Sequence, residues 1–289
     1  MTDTQILDFD SLWNYDDPAA TEQQFRQLLS KAESSGDISY HLQLLTQIAR
    51  TQGLQRQFDS AHQTLDQVTE LWTDDLQTVH VRCQLERGRV FNSSGKPDLA
   101  RPFFMEAWEL AQAIHEDSYA VDAAHMLAIV SSSEEQMQWN LKALALAESS
   151  TQPRANKWLG SLYNNIGWTY HDAKQYDEAL AIFEKALRFR VQQGEQSSIR
   201  IAKWCVARTL RSLGRIQEAL DQQLALLKEH KTAGSSDGYV DEEIGECLLS
   251  LGRIDESHPY FAQAYDELSK DAWLVANETA RLERLKNLS

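Results

Sequence analysis

An all-α solenoid of stacked helical hairpins is the fold class this sequence predicts, and three observations predict it. The pentapeptide Ser212-Leu213-Gly214-Arg215-Ile216 returns unchanged as Ser250-Leu251-Gly252-Arg253-Ile254. A small residue recurs at Ala49, Gly88, Gly167, Ala207 and Gly245, in steps of 39, 79, 40 and 38, and a second column, Ala61, Ala100, Ala179, Ala219 and Ser257, repeats the same four steps. The five prolines and twelve glycines are sparse inside the apolar-periodic segments. That suits helices, where an interior glycine costs about 1 kcal/mol and a proline about 3. A fixed period of this size marks supersecondary units that bury their apolar faces on one another, so a solenoid with terminal capping helices is expected.

The elements follow in order. Residues 1–16 form an acidic N-terminal segment, and residues 17–271 the repeat array. Stepping back 40 from Ala61 lands on Thr21, with Phe25 in the aromatic column, so the array opens with a lone second helix at 17–35. Asp17-Pro18 supplies its cap and first turn. Repeats are expected at about 40–73, 79–115, 118–149, 156–193, 199–232 and 238–270. The step of 79 is two periods, so a degenerate repeat lies between Ala100 and Ala179. Tyr119 to Val130 and Glu134 to Glu148 supply its helices, joined at Ser131-Ser132-Ser133. Gly53, Gly95, Gly214 and Gly252 are assigned to hairpin bends, and Pro97, Pro102 and Pro259 to first turns, where a missing N–H is tolerated. Residues 272–289 carry Leu274, Leu282, Leu285 and Leu288 at helical spacing and read as one C-terminal capping helix, with a dimerisation helix as the alternative.

One unit is stated most fully: Tyr163-x2-Ile166-Gly167-x2-Tyr170, then Ala179-x3-Phe183-x2-Ala186. This resembles the tetratricopeptide repeat, with Tyr163 where the family prefers Trp and Val191 where it prefers Pro. The period of about 39 exceeds the family's usual 34 and is similar to the longer variants of kinesin light chains and bacterial peptide-sensing regulators. The resemblance implies a right-handed α-α superhelix in which the first helix of each repeat lines an inner groove where ligands lie. Carried onto this chain, the groove positions are Thr46 and Arg50; Arg82, Glu86 and Arg89; Asn164, Trp168 and His171; Trp204, Arg208 and Arg211; and Glu242, Glu243 and Glu246. Asn165 matches the middle asparagine of carboxylate-clamp members, but Ile201 and Cys205 stand where that clamp needs basic residues.

Charge along the first helices is uneven. Arg82, Arg87 and Arg89 flank a single acid, Glu86; Lys203, Arg208 and Arg211 stand without one. The last first helix reverses sign with Asp241, Glu242, Glu243 and Glu246. Such a groove would orient an extended acidic peptide, or one ending in a carboxylate. Arginine and glutamate on neighbouring helices pairing across the stack is the competing reading. If the arginines serve a ligand, their side chains point away from the helix interfaces, and reversing Arg208 and Arg211 leaves folding unaffected.

A formal net charge of −15 argues against general nucleic-acid or anionic-membrane binding. Cys83, Cys205 and Cys247 lie far apart without a C-x-x-C pair, so no metal site or disulfide framework is expected. No cofactor is expected either. Neither a signal peptide nor a membrane span is apparent, and a cytoplasmic location is expected. The stretch ending Gly95-Lys96-Pro97 has the wrong glycine spacing for a phosphate loop, and no catalytic motif assembles, so the chain is not expected to be an enzyme. The function expected is a scaffold or adaptor that binds a protein or peptide segment in the groove. A peptide-responsive regulatory receptor is the alternative, and a helical-repeat RNA binder ranks third because the net charge has the wrong sign.

Overall fold

The computed structural model describes residues 8–289, the side chain of Ser133 excepted, and every regular element among them is helical. A 3-10 turn at Phe9–Leu12 precedes α1 (Pro18–Ser35), α2 (Ile38–Leu54), α3 (Phe58–Leu71), α4 (Gln77–Ser93), α5 (Pro97–Ala113), α6 (Asp117–Val130), α7 (Ser133–Ser149) and α8 (Pro153–Asn156). There follow α9 (Leu159–Asp172), α10 (Tyr176–Gln193), α11 (Gln196–Ser212), α12 (Ile216–Thr232), α13 (Gly238–Ser250), α14 (Ile254–Leu268), α15 (Ala272–Asn277) and α16 (Thr279–Asn287). The chain divides into two compact units, residues up to Leu162 and residues from Tyr163 onward. In the first, consecutive helices from α1 to α7 pack in hairpins, and α2, α4 and α6 pack side by side. In the second, α10 to α14 do the same, α11 lies beside α13, and α16 covers α14.

The starts of α1, α2, α11, α13 and α15 carry side-chain caps. Asp17 accepts from the Ala20 N–H at 2.9 Å, ahead of Pro18, and Asp37 accepts from the Tyr40 N–H at 2.9 Å. Each satisfies a donor that the first helical turn leaves free. Five of the hairpin bends share one backbone solution, and the α6–α7 bend at Ser131 is extended instead. Arg56, Gly95, Lys174, Gly214 and Gly252 all take positive φ, and the N–H of the next residue reaches back to the carbonyl of Gln52, Phe91, Tyr170, Leu210 or Leu248 at 2.9–3.0 Å. This is the Schellman closure, six residues to one. These five positions follow the first small-residue column by seven residues each time, so they are a third column with the same steps.

Gly53 is a correction: it lies inside α2, and Arg56, with φ 61°, makes the bend. Gly53 is instead a packing residue, since a Cβ there would stand 3.5 Å from Val90 Cγ2. Pro102 and Pro259 also differ from expectation. Each is the sixth residue of its helix, one turn deeper than the first turn. Both face solvent, so the carbonyl four residues earlier turns to water and the missing N–H goes without a buried loss.

The hairpin crossing explains the column of small residues. A Cβ on Gly88 would sit 2.5 Å from Phe104 Cε1, and one on Gly245 2.8 Å from Phe261 Cε1; Gly167 meets Phe183 in the same way. Where the first-helix residue is Ala49 or Ala207, the residue at the facing column position is Leu65 or Gln223 rather than Phe. The interval between Ala100 and Ala179 holds α6 and α7, which pack on each other. There the sizes are exchanged: one period after Gly88 stands Leu127, and one period after Phe104 stands Ala143, both fully buried. Gln223 is the exception in chemistry. It is fully buried in the aromatic column, and neither amide atom has a hydrogen-bond partner.

The C-terminal segment expected as one helix is two. Glu278, at φ −124° and ψ 39°, ends α15 and begins α16. The Asn277 amide donates to the Trp273 carbonyl and the Thr279 hydroxyl to that of Val275, which competes with continued helix. The break lets Leu274 reach the same apolar cluster as Leu282 and Leu285, around Phe261 and Leu268.

Size matching at the crossing predicts a coupling. Gly88→Ala should destabilise the first unit by about 1–3 kcal/mol through overpacking. Adding Phe104→Leu should return part of that loss, because it recreates the Ala49–Leu65 combination, with a coupling of about 1 kcal/mol in a urea-unfolding cycle. Gln223→Leu should stabilise the second unit by about 1–3 kcal/mol by removing an unpaired buried amide; thermal unfolding followed by circular dichroism reads this.

Candidate peptide-binding site

In the first unit, α2, α4 and α6 present one face to a cleft of about 660 Å³, whose remaining lining comes from the stretch Asp8 to Tyr15 and from Arg154, Lys157 and Trp158. Arg82 on α4 is only 4% exposed. Its Nη2 donates to Asp10 Oδ1 at 2.6 Å, and its Nη1 donates to Asp10 Oδ2 at 3.1 Å and to the Tyr119 hydroxyl at 2.8 Å. Arg154 Nη2 donates to the same Asp10 carboxylate at 2.9 Å. Burial alone would raise the Asp10 pKa, but the two guanidinium groups outweigh it and hold the carboxyl below its ordinary value. Burial would likewise lower the Arg82 pKa, and Tyr119, Asp10 and Glu86 together push it up instead.

A second cluster adjoins the first. Arg50 donates to Glu86 Oε2 at 3.2 Å and lies over the rings of Trp13 and Tyr15, 5.8 and 5.6 Å from their centroids. Arg89 is bound by Glu86 at 2.7 Å and by Asp122 on α6. The Trp13 indole N–H donates to Gln47 Oε1 at 3.0 Å. Arg50, Arg82, Glu86 and Arg89 therefore do meet on one face, but their charges are matched within the chain. Thr46 does not join them: it is buried and donates to its own helix at Gln43. Arg87 points elsewhere, to Asp66 on α3.

In the second unit the first-helix face is an aromatic row. Trp168 and Trp204 lie 5.9 Å apart, Trp204 and Tyr239 6.2 Å apart, and the Trp204 indole donates to the Tyr239 carbonyl at 3.1 Å. His171 contacts Trp168 and hydrogen-bonds the Ser212 hydroxyl at 2.9 Å. Its pKa is lowered, by burial first and then by Arg208. Arg211 grips Glu243 with two bonds of 2.7 and 2.9 Å, and Arg208 approaches the same carboxylate at 3.0 Å. Glu242 is held by Arg281 and Glu246 by Arg284, both on α16. Lys203 pairs with Glu229 on α12.

The basic and acidic first helices of this unit thus meet at Glu243, and their other charges are matched by α12 and α16. Reversing Arg208 and Arg211 to Glu would set two carboxylates against buried Glu243, so the expectation that folding is unaffected does not hold. Asn164 Oδ1 accepts from the Cys205 thiol at 3.6 Å, Asn165 is half-buried beside it in sequence, and Cys205 itself is buried. A carboxylate clamp cannot be completed from a buried thiol. Burial pushes the thiol pKa of all three cysteines up to about 12, so they are packing residues. Among the described residues no cluster could hold a metal, and no helix is long and apolar enough to cross a membrane.

Residues 159–192, spanning α9 and α10, match the family model of the tetratricopeptide repeat. The chain carries a tetratricopeptide repeat. Its fold is that of tetratricopeptide-like solenoids. The chain is similar to a signal-transduction ATPase with a tetratricopeptide repeat sensor from Pyrococcus horikoshii, at 14% identity and TM-score 0.72, over 95% of this chain and 44% of that one. The apo form of RapI aligns at 11% identity and TM-score 0.71, over 89% of this chain and 73% of that one. BtubC from P. vanneervenii aligns at 14% identity and TM-score 0.59, over 80% and 94%. No curated protein matches the sequence.

Reading the repeats by groove position misses Asp10, Trp13, Tyr119, Asp122, Arg154, Arg281 and Arg284. Tyr119 and Asp122 belong to the degenerate repeat, whose exchanged sizes conceal its register. The others lie outside the repeats' first helices, where no periodicity points to them.

Asp241, on α13, is 4% exposed. Burial, and then Glu267, raise its pKa from 3.8 to about 6. The folded state therefore binds this proton more tightly than the unfolded chain, and stability falls as pH rises from about 4 to about 6. Asp241→Asn should raise the melting temperature above about pH 7 and leave it unchanged near pH 4; a pH series of thermal melts checks both.

Proposed function

We propose that this chain is a protein–protein interaction scaffold that holds an extended segment of a partner protein against the first-helix face of its repeats. The observation that carries the reading is the cleft of the first unit. Its walls carry guanidinium groups and aromatic rings, contributed by three successive first helices, by the stretch Asp8 to Tyr15 and by residues from Arg154 to Trp158. Such a surface offers charge-assisted hydrogen bonds to a carboxylate and flat apolar contact to rings, the two contact types that dominate peptide recognition. The residues assigned to this surface are Arg50, Arg82, Glu86 and Arg89 in the first unit. In the second they are Asn164, Asn165, Trp168, His171, Trp204, Arg208, Arg211, Glu242 and Glu246. The partner preferred by the cleft is acidic. Nothing in the arrangement of side chains calls for a catalytic role.

A second reading, a peptide-responsive regulatory receptor, draws on the similarity in fold to a signal-transduction ATPase with a tetratricopeptide repeat sensor. The two readings use the same surface and differ in whether occupancy is signalled onward.

Selection of a displayed random-peptide library on the immobilised chain tests the surface. Acidic peptides with an aromatic residue should be enriched, should cross-link to α4, α6 or α8, and should lose at least tenfold in affinity on Arg154→Glu, which is exposed enough to spare the fold. Enriched peptides that cross-link to α3, α5 or α14 and ignore Arg154→Glu would overturn the reading.

A further inference from the structure

One wall of the first unit's cleft is itself a peptide stretch of the chain. The stretch from Asp8 to Tyr15 crosses the first-helix face, and its attachment there is through side chains. Asp10 enters the socket of Arg82, Arg154 and Tyr119. Trp13 engages Gln47, the cation of Arg50 and, edge to face at 5.4 Å, the ring of Phe25, and Tyr15 stacks on Trp13 at 4.7 Å. The backbone bonds given for the stretch stay within it or go to Asp17 and Thr21 at the start of α1, and none of them reaches α2, α4, α6 or α8. Phe9 is the anchor, packed on Phe25 and Tyr40, whereas Tyr15 at the other end is 59% exposed.

The charge inventory singles out the socket. Arg50 and Arg89 are matched by Glu86 and Asp122, which belong to the repeats themselves. Arg82 has no such partner from the repeats in hydrogen-bond contact except the neutral Tyr119, and its carboxylate comes from the crossing stretch. A buried cation needs an anion or becomes costly. When the stretch leaves, another carboxylate must replace Asp10.

We propose that residues 8–15 are an internal occupant of a carboxylate socket, and that the partner is a peptide presenting an Asp or Glu with an aromatic ring three residues further on. The proposal rests on reading the first-helix face as the peptide surface. Partner and internal stretch compete: tethering gives the stretch an effective concentration of order millimolar, so it masks the socket against weak or mismatched peptides. Phe9 keeps the displaced stretch docked at one end, which makes the exchange local and reversible.

The test is a fluorescence-anisotropy titration of a labelled synthetic peptide with the sequence Asp8 to Asp17, using the whole chain throughout. The wild type should bind it weakly. The variant Asp10→Asn with Trp13→Ala keeps Phe9 and should bind it at least tenfold more tightly, while the same peptide with its second aspartate changed to asparagine should bind neither chain. On the wild type, excess peptide should also speed hydrogen exchange at the amides of Ser11 to Trp13. Equal affinity for wild type and variant overturns the proposal. Loss of the helical fold in the variant overturns it as well, since the stretch is then a fixed part of the structure. A library-selected peptide that cross-links to α4 or α6 without disturbing Ser11 to Trp13 overturns the internal competition and leaves the scaffold reading standing.

Discussion

The close approach of two helices within each hairpin is the constraint on which the structure depends. At Gly88, Gly167 and Gly245 the missing Cβ admits the edge of a phenylalanine ring, and at Ala49 and Ala207 the facing column position holds a less bulky residue. The combined volume is what is held constant, as dense packing requires. Because the ring lies inside the hairpin, the outer flanks of the first helices are free to carry arginine, tryptophan and glutamate. The Schellman closures then fix the length of the five bends that carry them, so that successive first helices arrive in matching register. Local geometry therefore sets where the first-helix face lies, while leaving its chemistry open.

Much of this was legible in the sequence, for a physical reason. Small residues at a crossing and left-handed bends are requirements on single positions, and they return with the period. The degenerate repeat was visible only as a gap, because Leu127 and Ala143 exchange the sizes that the columns rely on. Bends escaped where Arg56 and Lys174 take the conformation that glycine takes elsewhere. The C-terminal break at Glu278 was hidden by leucines spaced as for one helix.

The first-helix face was legible as a place and not as a charge pattern. Sequence spacing brings Arg50, Arg82, Glu86 and Arg89 together correctly, yet spacing cannot say that Glu86 serves two arginines at once. In the second unit, the acidic first helix that suggested a polarised groove spends its carboxylates on Arg208, Arg211, Arg281 and Arg284. Long-range pairing of this kind depends on which side chains reach one another across a stack, and a one-dimensional reading does not carry that information. The same limit concealed Asp10, whose partners Arg82 and Arg154 lie 72 and 144 residues away in sequence.

The burial of Arg82 has a consequence for how this protein behaves in solution. Mobile ions screen exposed charges beyond about 8 Å at physiological ionic strength, but they screen a desolvated pair far less. A chain of net charge −15 repels acidic molecules at long range, more strongly as salt is withdrawn. At the socket the balance is opposite, since the attraction acts at contact and persists when the long-range field is quenched. An anionic guest should thus arrive faster in high salt and stay as long as before, the reverse of the ionic-strength dependence of proteins that gather anions with an exposed basic surface.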